Sequence, residues 1–150
     1  MITSSDNKFF CLINYTKNLI KIFDLRSKKV VHTLTKFCHG YLGSIESKSA
    51  VFYDNKTIAV CWNTRDIFFV DIETDKITKK FTGPFESQSS IQFTEDRKYM
   101  VSCAKHGEIG IDGSKSSICV YDIETEYLTH RIQFMRNVSS VKLASDNRTL

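Results

Sequence analysis

Three segments of the sequence share one pattern, and that pattern limits what the chain can fold into. They are Ile20-Lys21-Ile22-Phe23-Asp24-Leu25-Arg26-Ser27, Ile67-Phe68-Phe69-Val70-Asp71-Ile72-Glu73-Thr74 and Ile118-Cys119-Val120-Tyr121-Asp122-Ile123-Glu124-Thr125. Each is a β-branched and aromatic run, then an Asp, an aliphatic residue and polar turn residues. Such a run predicts a strand that ends in a turn. Three copies, 47 and 51 residues apart by their Asp positions, predict a repeat architecture.

The flanks repeat as well. Counted from the Asp, apolar and polar residues alternate at matching offsets: Val30, His32 and Leu34; Ile77, Lys79 and Phe81; Leu128, His130 and Ile132. That alternation predicts a half-buried strand entered through a four- or five-residue hairpin. Upstream, Asp6-Asn7-Lys8, Asp54-Asn55-Lys56 and Asp96-Arg97-Lys98 each open a second strand. Ser49–Phe52, Ser90–Phe93 and Val141–Leu143 read as strands that precede such turns. No 3.6-residue period is present. The predicted fold class is therefore all-β. It consists of β-propeller blades of four antiparallel strands, in about three repeats.

With these motifs in hand, the chain resembles the WD-repeat family over essentially its whole length. Phe23, Val70 and Tyr121 take the position of that family's Trp. The Gly-His of the family is replaced by Cys38-His39-Gly40 and Phe81-Thr82-Gly83. The Asp of its second hairpin aligns with Lys17, Thr64 and Lys115, so the Asp/His hydrogen-bond network of standard blades is expected to be absent. The resemblance implies a non-catalytic scaffold or adaptor that binds other proteins through the propeller rim and loops. A second reading is the gate domain of a larger enzyme, such as a prolyl-oligopeptidase-like hydrolase, or a quinoprotein-like oxidoreductase.

The repeat units divide residues 1–150 into a partial propeller of approximately 1–43, 44–86 and 87–136, with the start of a further unit in 137–150. The sequence starts just before a second strand and stops just inside the next one, so it is expected to be a piece of a longer propeller. The alternative is that two copies complete a six-bladed ring. Self-association through open blade edges is an accompanying expectation.

One segment breaks the period. Where the first two units have short hairpins, the third has Lys105 to Ser116, with three glycines and four charged residues. An insertion of this kind is tolerated where it projects into solvent. His106, Glu108, Ile109, Ile111, Asp112 and Lys115 form the candidate partner-binding loop. Its glycine spacing is not a dinucleotide fingerprint, because no helix follows, and Asp112-Gly113-Ser114 lacks the spaced oxygens of a calcium loop.

Other functions find little support. Cys103 and His106 have zinc half-site spacing, but Cys103 matches Cys61 as a strand residue, so packing accounts for both. No nucleophile elbow is present, and Asp24, Asp71 and Asp122 suit Asx turns better than acid–base chemistry. No catalytic residue, metal or cofactor is expected. The net charge of +4 is mild and scattered, which argues against nucleic acid. The five cysteines fall mostly in predicted strands and the N-terminus lacks a signal-peptide pattern. A cytoplasmic location, away from any membrane, is the expectation. Sequons at Asn14, Asn55, Asn137 and Asn147 carry no weight in such a setting.

Overall fold

The computed structural model describes residues 2–14, 19–35, 48–62, 65–84, 87–105, 116–135, 138 and 140–144. It contains twelve strands among them and no helix. The first sheet is β1 (Ile2–Thr3), β2 (Phe9–Asn14), β3 (Leu19–Asp24) and β4 (Val30–Leu34). The second is β5 (Lys48–Phe52), β6 (Thr57–Trp62), β7 (Asp66–Asp71) and β8 (Lys76–Thr82). The third is β9 (Ser87–Phe93), β10 (Tyr99–Lys105), β11 (Ser116–Asp122) and β12 (Leu128–Phe134). Each sheet is a meander of antiparallel strands in sequence order, as a propeller blade requires. The inner strands β1, β5 and β9 lie next to one another.

The core lies between the blades, and strand alternation builds it. In β6, Ile58 and Val60 face the first blade, while Ala59 and Cys61 face the third. One seam joins Cys11, Ile20, Ile22 and Leu34 of the first blade to Ile58, Val60, Val70 and Ile72 of the second. The next joins Ile67, Phe69 and Phe81 of the second blade to Ile91, Met100, Tyr121 and Ile123 of the third. Aromatic rings chain through it: Phe69 contacts Tyr53, Phe81 and Phe93 at centroid distances of 5.1, 5.1 and 5.8 Å, and Phe81 meets Tyr121 at 5.8 Å. Their tilted and edge-on geometries match the aromatic quadrupole.

Each outer strand carries a β-bulge at the same place. The register slips after Ile22, Phe69 and Val120, leaving Val31, Thr78 and Thr129 as extra residues. In two blades the extra residue is a Thr whose hydroxyl donates back across the ladder, Thr78 to the Phe69 carbonyl and Thr129 to that of Val120. The bulge corrects the expected burial. Leu34 and Phe81 are buried, but Val30, Ile77 and Leu128 are exposed. One inserted residue reverses which face the earlier side chains point to.

Two further expectations change. The first blade has a first strand, Ile2–Thr3, paired with Phe10 and Cys11. Val141–Leu143, predicted as a strand, is irregular. It is held instead by apolar contact of Val141 with Val101, Cys103 and Ile118 and by donation from Leu143 N to Gln92 Oε1 at 2.9 Å. Among the described residues no further strand of its own blade is there to pair with it.

Candidate interaction surface

One face of the blades is built from paired Asx turns. At the third strand's end, Asp24 Oδ1 accepts from Ser27 N, Asp71 Oδ1 from Glu73 N and Thr74 N, and Asp122 Oδ1 from Thr125 N, at 2.6–3.1 Å. Thr74 and Thr125 add their hydroxyls at 2.8 and 3.0 Å. At the second strand's start, Asp6, Asp54 and Asp96 accept from the N–H of Lys8, Lys56 and Lys98. The two turns are then tied together in every blade: Leu25, Ile72 and Ile123 N donate to the carbonyls of Lys8, Lys56 and Lys98 at 2.8–2.9 Å. The turn residues Lys28, Asp75 and Glu126 share a left-handed backbone, with φ of 58, 54 and 62°.

These bonds hold the carboxyls of Asp6, Asp24, Asp71, Asp96 and Asp122 below their usual pKa range. The cause is chiefly the backbone donors for Asp24, Asp71 and Asp122. For Asp6 and Asp96 it is chiefly the hydroxyls of Ser4 and Thr94. A carboxylate that accepts several donors and stays ionised braces a turn and is a poor general base. The repeated Asp residues are therefore structural joints.

A cleft of about 310 Å³ opens between the second and third blades on this face. Tyr53, Lys79, Asp96, Arg97, Lys98, Asp122, Ile123 and Glu124 line it. Two of its cations cross the seam. Lys79 Nζ donates to the Ile123 carbonyl at 2.8 Å and lies 3.3 Å from Glu126 Oε1. The Arg97 guanidinium sits 5.5 Å from the Phe93 ring centroid, and Nη1 reaches the Phe52 carbonyl at 3.4 Å. Lys79 stands at the polar repeat position it shares with His32 and His130, and in the second blade that position carries the staple to the third. These residues were missed because the repeat hides them. The available signals were two substitutions within it, Lys79 where the sister copies have His32 and His130, and Arg97 where they have Asn7 and Asn55.

The third blade also buries polar groups. Ser102 Oγ donates to Gln88 Oε1 at 2.7 Å, and both residues are fully buried. The Tyr121 hydroxyl lies beside Ser102 and Cys119, and burial drives its pKa up. Gln88 Nε2 packs against Gly83. Thus Tyr121, at the position of the family Trp, takes part in a polar cluster of different composition. Lys17, Thr64 and Lys115, where the sequence argued against the standard network, lie outside the described residues.

The four described thiols, Cys11, Cys61, Cys103 and Cys119, are buried and protonated. Burial pushes Cys11 and Cys103 up to about 11, Cys61 up to about 12, and Cys119 upward as well. Thiols of this kind pack; they are neither nucleophiles nor ready ligands. Among the described residues no three His, Cys, Asp or Glu side chains gather as a metal site, and no helix is long and apolar enough to cross a membrane.

The loop residues His106, Glu108, Ile109, Ile111, Asp112 and Lys115 lie outside the described residues. Their brackets are defined: Lys105 pairs with Ser116 at the end of the β10–β11 hairpin, opposite the Tyr99–Asp122 end that carries the Asx turns.

No family model matches the chain. Autophagy-related protein 16 of Arabidopsis thaliana is 24% identical over 132 residues, covering 87% of this chain and 23% of that protein. The WD40 β-propeller domain of Doa1 superposes with a TM-score of 0.68 at 18% identity, covering 97% of this chain and 43% of the other. A chain of the mitotic checkpoint complex superposes with a TM-score of 0.66 at 11% identity, covering 87% and 35%. The chain thus spans less than a quarter of the curated relative and less than half of either structure. By fold, the described residues form three blades of a WD40-like β-propeller.

Proposed function

We propose that the chain is a non-catalytic protein-interaction scaffold of WD-repeat type that binds its partners through the propeller rim and the 105–116 loop. The observation that carries this reading is the division of labour between polar and apolar groups. On the turn face the repeated carboxylates are committed to bracing turns. On the outer strands, Val30, Ile77 and Leu128 stand exposed at equivalent positions, with Tyr127 beside the last at 74% exposure. A rigid frame with repeated apolar contact points suits docking by surface complementarity. That one fold neighbour belongs to a multiprotein complex supports the same reading. The buried, protonated thiols fit a reducing, cytoplasmic setting.

The test is affinity purification of the intact chain beside two variants, one lacking residues 108–115 and one carrying Tyr127→Ala with Leu128→Glu. Loss of the same partners from both variants, with unchanged circular dichroism, supports rim and loop binding. An identical partner set for all three proteins removes that binding mode. Turnover of a substrate by the purified chain would remove the scaffold reading itself.

A further inference from the structure

The same hairpin recurs in the three blades, but its charge does not. Between the third and fourth strands, matching positions hold Arg26, Glu73 and Glu124, then Lys28, Asp75 and Glu126, then Lys29, Lys76 and Tyr127. Arg26, Lys28 and Lys29 are exposed, and among the described residues none of them is in a salt bridge. Backbone shape does not call for this charge, since Lys28, Asp75 and Glu126 share one left-handed conformation. The strand that follows differs too. β8 holds three lysines and β12 an arginine, whereas β4 holds no Lys, Arg, Asp or Glu. Charged residues on an edge strand discourage pairing with another chain. β4 is the outer edge of its sheet and presents Val30 and Val31, each 42% exposed. Ile77 of the second blade, flanked on both sides, is 48% exposed at the Val30 position, so this openness belongs to the outer strand itself. Val31 is the bulge residue, and it lacks the hydroxyl that Thr78 and Thr129 turn back onto the third strand.

We propose that the outer edge of β4 takes an extended segment of a partner protein, β-branched along its length and acidic at its C-terminal end. The inference rests on the rim reading above and names the partner chemistry for one strand of that rim. The segment adds a fifth, antiparallel strand. Its main chain takes the unpaired ladder groups of β4, and its side chains pack beside Val30 and Val31. Lys29 directly precedes Val30, so in that direction the C-terminal end of the segment reaches Lys28 and Lys29, with Arg26 in the same turn. Its carboxylates meet three cations there and one anion, Asp24, whose Oδ1 already accepts from Ser27 N at 2.6 Å. Glu73 and Asp75, or Glu124 and Glu126, repel the same segment, which selects the first blade. A bilayer of anionic lipid would supply the opposite charge but no partners for the edge backbone, so a peptide suits this edge better.

The test is fluorescence anisotropy of the intact chain with a labelled peptide of alternating valine and threonine that ends in three glutamates. Binding is expected, and it weakens as salt is raised. Arg26→Glu with Lys28→Asp introduces residue types that the second blade carries at these positions, and circular dichroism checks the fold. This variant is expected to bind at least about tenfold more weakly. The same peptide with N-methyl groups along its valine–threonine half keeps the charge and loses the ladder donors. It too is expected to bind the parent chain at least about tenfold more weakly. No binding by the parent overturns the inference, and so does binding that either change leaves intact. Sedimentation of the parent with phosphatidylserine vesicles, without peptide binding, overturns it in favour of a lipid surface. The double variant keeps Tyr127, Leu128 and the 105–116 loop, so the affinity purification above reads rim and loop binding whether or not the peptide binds.

Discussion

Lys79 Nζ lies 2.8 Å from the carbonyl oxygen of Ile123, so a side chain of the second blade caps a turn of the third. The Lys79 side chain is only 34% exposed, and its ammonium also meets Glu126. Lys79→Met keeps most of the aliphatic stem and removes the donor. A partly exposed charged hydrogen bond of this kind is worth about 0.5–1 kcal/mol after solvent screening. Lys80 offers the control, since its contact with Asp66 at 3.0 Å is made by a side chain 52% exposed. In urea denaturation, Lys79→Met is expected to lower the midpoint, while Lys80→Met leaves it nearly unchanged. Equal effects would mean that the seam gains nothing from the staple.

The Asx turns predict the acid limb of the stability curve. The carboxyls of Asp6, Asp24, Asp71, Asp96 and Asp122 have folded pKa values depressed below the unfolded one. Their contribution is therefore fully present above the unfolded Asp pKa of about 3.9 and is lost as pH falls through the lower folded values. Stability should stay level through neutral pH and drop below about pH 4. The triple variant Asp24→Asn, Asp71→Asn, Asp122→Asn keeps a side-chain acceptor at each turn and removes the titration. It should be less stable than the parent at pH 7, with a shallower decline in acid. An unchanged acid limb would place the sensitivity elsewhere.

Gly83 predicts a steric limit between the second and third blades. Its N–H donates to Arg65 O at 2.7 Å. A Cβ there would stand 2.8 Å from that same carbonyl and would meet the buried Gln88 amide. Gln88 is held by Ser102 and cannot swing aside without breaking a buried hydrogen bond. Gly83→Ala should cost about 1–3 kcal/mol, the usual penalty of overpacking. Gln88→Ala in the same chain should recover part of it, since the double variant removes the clash with the amide and keeps only that with the Arg65 carbonyl. A purely additive double variant would separate the two sites.

The strand ends were legible in the sequence because each property sits at a fixed offset from an Asp whose carboxylate shapes the turn. The Asx role of Asp24, Asp71 and Asp122 follows from residue type and position alone, and the bonds to Ser27, Thr74 and Thr125 match it. The exposure of Val30, Ile77 and Leu128 was not legible. The bulges at Val31, Thr78 and Thr129 carry no glycine to mark them, and an unmarked bulge breaks the period-2 rule without trace. The staples by Lys79 and Arg97 were hidden for another reason. They depend on which neighbour a long side chain reaches across a seam, and periodicity within one blade says nothing about that. The candidate loop, 105–116, was found because it breaks the repeat, and its ten inner residues lie outside the described structure.

The thiols give a prediction about opening of the fold. Cys11, Cys61, Cys103 and Cys119 are at most 2% exposed, and burial raises the pKa of each. For Cys11 and Cys103, with a pKa of about 11, only about one thiol in a thousand is ionised at pH 8, roughly a hundredfold less than a free cysteine. Steric exclusion slows reaction further. In native buffer these four should resist a charged thiol reagent and then react together as denaturant opens the seams. Because Cys61 and Cys119 sit on opposite sides of the seam centred on Phe69, Phe69→Leu should speed labelling of both, leaving Cys11 in the other seam slower to respond. Mass spectrometry of labelled peptides resolves the sites. If Cys11 reacts in step with Cys61 and Cys119 across a denaturant series, the two seams open as one cooperative unit.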